Sequence, residues 1–168
     1  NSGKSVKSCE ELVKREPENK WFWRELAISY DERSYTRKAY MAYEKAYELG
    51  CRDNGFLLDF SASCDNYEQY DRGIQVLTEL ARKDRRWKRE EIEDVLSAYC
   101  GILMMSCRKG ADFSGMLPEC SQFIRQYSIY IPDHLKTVLG FCTVISMNLE
   151  LCGSSHELIR DFFSAVEK

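Results

Sequence analysis

A size pattern that recurs at an offset of 34 residues constrains this chain more than any other feature. Trp23, Leu26, Ala27 and Tyr30 place large apolar side chains at i, i+3 and i+7 with a small one at i+4, which is one face of a helix. Tyr35, Ala39, Tyr43, Ala46 and Leu49 mark a second helix that stops at Gly50, and Ser34 is expected to cap its start. Adding 34 to Trp23, Leu26, Ala27, Tyr30, Ala39, Tyr43 and Ala46 returns Leu57, Phe60, Ser61 and Cys64, then Gly73, Leu77 and Leu80. Size class is kept at five of these seven positions, while Tyr30 gives way to the smaller Cys64 and Ala46 to the larger Leu80. A helix pair of this kind cannot bury its apolar face alone, so neighbouring pairs must stack.

Composition agrees with an all-α chain. Among 168 residues there are 9 Gly and 3 Pro, and the 20 β-branched residues are few beside 15 Leu and 17 Glu. Such usage favours helix and leaves too few turn residues for a β-sandwich. A formal net charge of −3 makes a general polyanion binder a poor reading. Eight cysteines stand at 9, 51, 64, 100, 107, 120, 142 and 152 with no C-x-x-C, and the two histidines are His134 and His156. Zinc-finger spacing is absent, and a chain with this much apolar residue needs no disulfide framework. The thiols are therefore read as reduced and the compartment as cytoplasmic. Cys9, Cys64, Cys120 and Cys142 fall on apolar helix faces and Cys100 and Cys107 share a face, which leaves Cys51 and Cys152, each beside a glycine, as the candidates for exposure.

Outside the two repeats, Ser5 to Glu16 reads as one more helix, with Val6, Cys9, Leu12 and Val13 on a single face. A longer helix is expected from Ile92 to about Cys107, and a partner from about Ser114 to Tyr127 with Pro118 harmless in its first turn. Pro132 is expected to open a further helix and Ser154-x-x-Glu157 to cap a last one. The longest uncharged stretches, Val95 to Cys107 and Thr137 to Leu149, are 13 residues each, short of the roughly 20 that span a bilayer. The start, Asn1-Ser2-Gly3-Lys4, has neither an initiator Met nor an apolar signal core, and the expectation is a piece of a longer protein.

Residues 20 to 53 resemble the tetratricopeptide repeat, a helix-turn-helix unit with the pattern W-x-x-L-A-x-x-Y followed by A-x-x-x-Y-x-x-A and Pro. Trp23, Leu26, Ala27, Tyr30, Ala39, Tyr43 and Ala46 stand in place, with Cys51 where Pro is usual. Residues 54 to 87 resemble it in size pattern only. The resemblance implies a single domain over 1–168, built of antiparallel helix pairs stacked as a right-handed superhelical solenoid. In it, 1–19 would be the second helix of a preceding repeat, 20–53 and 54–87 the two repeats, and 88–130 and 131–168 divergent pairs.

In this family the first helix of each pair lines a concave surface that holds peptides or helices. The resemblance therefore implies partner-binding positions one turn from the small residues: Trp21, Arg24, Ile28 and Asp31, then Leu58, Ala62 and Asp65, with Glu93 continuing the surface. One subfamily clamps a peptide carboxylate with Lys, Arg and Asn. Here Ile28 and Asp59 stand where Asn is needed, and Glu90 and Asp94 where cations are needed, so that specificity is rejected on Coulombic grounds. A neutral or basic segment suits the mildly acidic face better.

The run from Arg82 to Arg89 carries six cations in eight residues around Trp87, but acidic residues follow at once, and it reads as a compensated turn before a helix. No phosphate loop occurs, and both histidines are expected near helix starts, where a Cys-His nucleophile is poorly supported. The reading is a non-catalytic protein-interaction module with a protein or peptide partner, no cofactor, no metal, no membrane span and no nucleic-acid partner. A ligand-sensing or dimerisation domain of a helix-turn-helix transcriptional regulator is the alternative.

Overall fold

The computed structural model describes residues 5–83 and 86–131, together with 157, 160, 161, 164 and 165. The helices expected after Pro132 and Ser154, both histidines, Cys142 and Cys152 lie outside the described residues. Among the described residues seven α-helices follow one another: α1 (Val6–Arg15), α2 (Lys20–Asp31), α3 (Thr36–Glu48), α4 (Asn54–Asn66), α5 (Tyr70–Ala81), α6 (Ile92–Lys109) and α7 (Leu117–Tyr127). The chain divides into two compact units, Asn1–Arg72 and Gly73–Lys168.

In the first unit, short polar side chains fix the helix starts. Ser5 accepts from the Ser8 amide at 3.2 Å, Asn19 from the Trp21 amide at 3.1 Å, and Asp53 from the Phe56 amide at 3.0 Å. Each satisfies a backbone donor that the first turn leaves without a partner. The α1–α2 seam carries a Cys9–Ser29 contact of 3.4 Å and a hydrogen bond of 2.7 Å from the Tyr30 hydroxyl to Glu10. The α3–α4 seam is aromatic: Tyr43 stacks on Phe60 at 5.9 Å between ring centres, and Tyr47 and Phe56 lie 5.7 and 6.0 Å from the same ring. The small residues Ala27, Ala39 and Ala46 are fully buried, as their place in the repeat demands.

The 34-residue period is written in the backbone as well as in the side chains. After α2, Ser34 takes φ 57° while its amide donates to Asp31 and the Tyr35 amide to Tyr30. After α4, Glu68 takes φ 59° while its amide donates to Asp65 and the Gln69 amide to Cys64. Every donor and acceptor in the second turn is displaced by 34 from the first. Both are Schellman turns, a motif that normally takes glycine at its left-handed residue. Ser34 thus ends α2 and does not cap α3, whose first residue is preceded by Tyr35 with no side-chain cap. Serine composition pointed to a start signal, but the tight reversal claimed the residue for a stop. Ser34→Gly and Glu68→Gly are each expected to stabilise the chain by about 1 kcal/mol, because the left-handed conformation costs an L-residue about that much. Urea denaturation followed by circular dichroism measures the gain, and an unchanged midpoint in both variants would contradict the strain assigned here.

A third Schellman turn, at Gly50 with φ 85°, corrects the expectation for Cys51. The Cys51 amide donates to the Ala46 carbonyl at 3.0 Å, a bond that proline at this place cannot make. The side chain is fully buried and its thiol points to Asp53 at 3.6 Å. Cys9, Cys64 and Cys120 are buried as expected, and Cys100 and Cys107 are half-buried.

In the second unit, α6 is the long helix expected, closed by Gly110 at φ 71°. Pro118 sits in the first turn of α7. Tyr99, Phe123 and Tyr127 form an aromatic row with ring centres 5.6 and 4.9 Å apart, and the Trp87 amide donates to the Tyr127 hydroxyl at 2.8 Å.

Candidate functional site

Of the eight positions implied as partner-binding, seven lie on α2 and α4 of the first unit, and Arg24 links these two helices. Arg24 on α2 reaches the Asp53 carboxylate with contacts of 2.9 and 3.0 Å, and its guanidinium lies 6.0 Å from the centre of the Phe56 ring. Arg24 therefore ties α2 to the start of α4, a structural duty that the sequence pattern did not reveal. Trp21 is 52% exposed, Ala62 is exposed, and Ile28, Asp31, Leu58 and Asp65 are half-buried. Glu93 is exposed on the first turn of α6 in the second unit. Trp23, the core residue of the repeat pattern, is half-buried and donates from Nε1 to the Pro17 carbonyl at 2.7 Å.

The charges on this face are unequal in kind. Desolvation raises the Asp53 carboxyl, but the Phe56 amide, Arg24 and the Cys51 thiol together outweigh it and leave the group below its usual range, because these bonds favour the ionised form. Asp31 and Asp59 go the other way. Desolvation raises both, and the Asp59 charge raises Asp31 further; at Asp59 the nearby Arg24 charge offsets part of the rise and the Asp53 charge adds to it. The Tyr43 hydroxyl, whose own ionisation burial pushes far up, bonds to Asp31 and offsets part of the effect.

A carboxyl whose folded pKa is raised contributes stability that is complete below its unfolded pKa and is lost as pH rises through the folded value. At neutral pH the half-buried Asp31 is therefore a cost to the fold, and Asp59, exposed to solvent and eased by Arg24, a smaller one. An added cation between them would remove that cost, and no cation among the described residues is bonded to either in the way Arg24 is bonded to Asp53. Asp59 was not among the implied binding positions. The signal for it was the acidic residue at the place where a carboxylate clamp requires Asn.

The other candidate chemistries fare differently. Arg82, the first cation of the basic run, pairs with Glu119 at 2.6 Å, and Arg89 lies 6.0 Å from the Tyr130 ring centre. The run is partly spent on contacts within the second unit. Among the described residues, no group of three or more His, Cys, Asp or Glu is placed to hold a metal ion. Burial raises the thiols of Cys51 to about 11 and of Cys64 to about 12, and it raises Cys100 and Cys107 as well, so these four are protonated and weakly nucleophilic at neutral pH. Among the described residues no helix is long and apolar enough to cross a membrane.

No family model and no curated protein matches the sequence. Among solved structures, the crystal structure of MamA, a helical protein of tetratricopeptide-like fold, is similar over 96% of this chain and 86% of its own, with a TM-score of 0.61 and 12% identity. The chain accordingly has an all-α, tetratricopeptide-like helical-repeat fold.

Proposed function

We propose that the chain is a protein-interaction module of the tetratricopeptide family, one domain in the cytoplasm, and that it acts by binding alone. The α2/α4 face takes an extended or helical segment carrying a Lys or Arg beside apolar residues. One observation carries this reading: the half-buried Asp31 and the exposed Asp59 share a face on which neither is bonded to a cation among the described residues, beside Ile28 and Leu58, which are half-buried and apolar. Groups that a chain keeps against its own stability are the ones binding is expected to use. A cationic side chain between the two carboxylates gains both their attraction and the relief of their mutual repulsion. Trp21, exposed at the start of α2, supplies an aromatic surface for the same segment, and Ala62 leaves room for it. Nucleic acid is not the partner, since the densest basic run is compensated by its own acidic neighbours.

Peptides selected on the 168-residue chain from a random display library test the reading. Basic and apolar sequences are expected, and Asp31→Asn with Asp59→Asn is expected to weaken them roughly tenfold while leaving the chain equally or slightly more stable. Acidic selected sequences, or undiminished affinity in the double variant, would overturn it.

A further inference from the structure

A second groove lies in the first unit between α1 and α3, floored by α2, with a volume of about 780 Å³. Val13, Leu26, Tyr30 and Ala42 form its buried floor, and Met41, 59% exposed, stands at its edge. The polar atoms of the floor are already engaged. The Tyr30 hydroxyl donates to Glu10 at 2.7 Å, the Tyr40 hydroxyl to Glu44 at 2.9 Å, and Trp23 Nε1 to Pro17. A ligand therefore finds an apolar bed with no donor left to recruit, and what selects it must be shape together with the charges along the rim.

Those charges are lopsided once internal pairs are removed. Glu44 is held by Arg72 at 2.7 and 2.8 Å and Glu48 by Lys45 at 3.4 Å, whereas Glu10, which accepts from the neutral Tyr30 hydroxyl, keeps its single negative charge against the two lysines that remain. Lys14 on α1 and Lys38 on α3, one on each wall, have no carboxylate partner among the described residues. Lys38 rests over the Tyr30 and Tyr35 rings at 5.5 and 5.7 Å, which keeps its ammonium at the wall. The volume falls within the range of about 300–1,000 Å³ usual for ligand grooves, and the walls are two helices, a cradle suited to a third.

We propose that this groove docks an acidic amphipathic helix of a partner protein, its apolar stripe on Val13, Leu26 and Met41 and its carboxylates against Lys14 and Lys38. The surface is separate from the α2/α4 face and prefers the opposite charge, so the first unit holds two partners of unlike sign.

Two synthetic helical peptides of about 14 residues serve as probes, each with Leu at i, i+3, i+7 and i+10, one flanked by Glu and one by Lys. With the full chain, fluorescence anisotropy is expected to show the Glu peptide bound roughly tenfold tighter than the Lys peptide. Lys14→Glu with Lys38→Glu should invert that order, and Met41→Asp should weaken the Glu peptide with circular dichroism unchanged. Asp31→Asn with Asp59→Asn should leave it unaffected, which separates this groove from the other face. Equal binding of the two peptides, binding of neither, an unchanged order in the lysine variant, or sedimentation showing a second copy of the chain displaced by Met41→Asp would overturn the proposal.

Discussion

Phe60→Ala is expected to destabilise the chain by about 3–5 kcal/mol, the range for removing a large buried aromatic side chain. Phe60 is fully buried on α4, and four rings surround it at 5.7 to 6.1 Å between centres: Tyr40, Tyr43 and Tyr47 from α3, and Phe56 from its own helix. The Arg72 guanidinium lies 5.6 Å from the same ring while pairing with Glu44. Removing the ring therefore takes away burial, several edge and face contacts and a cation–π contact together. The surrounding rings are stiff, with two torsions each, and cannot collapse into the void. Phe60→Leu keeps most of the volume and is expected to cost about 1–1.5 kcal/mol. Urea denaturation of the two variants measures both losses, and a loss below about 1 kcal/mol for Phe60→Ala would mean that this cluster does not hold α3 to α4.

The seam at Phe60 was legible because size patterning at a fixed offset reports burial on one helix face. Leu26, Ala27, Tyr30, Ala39, Tyr43 and Ala46 are all buried, and so are Leu57, Phe60, Ser61, Cys64, Gly73, Leu77 and Leu80 at the shifted positions. Residue type served less well where backbone geometry decides. Ser34 has the side chain of a helix start and sits in a helix stop, because a two-helix reversal needs one left-handed residue wherever it falls. Cys51 sits beside a turn glycine, yet its amide and thiol are both drawn inward. The site was legible as a face and not as a set of bonds. Spacing places Arg24 on the α2/α4 face, but only the fold brings Asp53, 29 residues away, within 2.9 Å of its guanidinium. Likewise Asp59 acquires its role from Asp31 and Asp53, neighbours that no spacing rule links to it.

Gly101→Ala is expected to destabilise the chain by about 1–2 kcal/mol, against the sign that helix propensity alone assigns. Gly101 lies in the middle of α6, where alanine ordinarily gains about 1 kcal/mol by restricting the unfolded chain and protecting the backbone. A Cβ at this position would come within 2.4 Å of Leu77 Cδ1 and 3.8 Å of Leu77 Cγ. Leu77 is 1% exposed, so its methyl has no open space to swing into and the overpacking cost of about 1–3 kcal/mol exceeds the gain. Gly55, in the first turn of α4, provides the opposite case. A Cβ there meets only Asp53 and Arg24 side-chain atoms, at 3.6 and 3.7 Å, which is ordinary contact. Gly55→Ala is expected to stabilise by a few tenths of a kcal/mol, since the first turn realises only part of the propensity difference. The two substitutions add the same methyl group to a helix, and denaturation midpoints moving in opposite directions are the expected result. A gain at both positions would show that α5 and α6 do not approach as closely at Leu77 and Gly101 as the packing of the second unit requires.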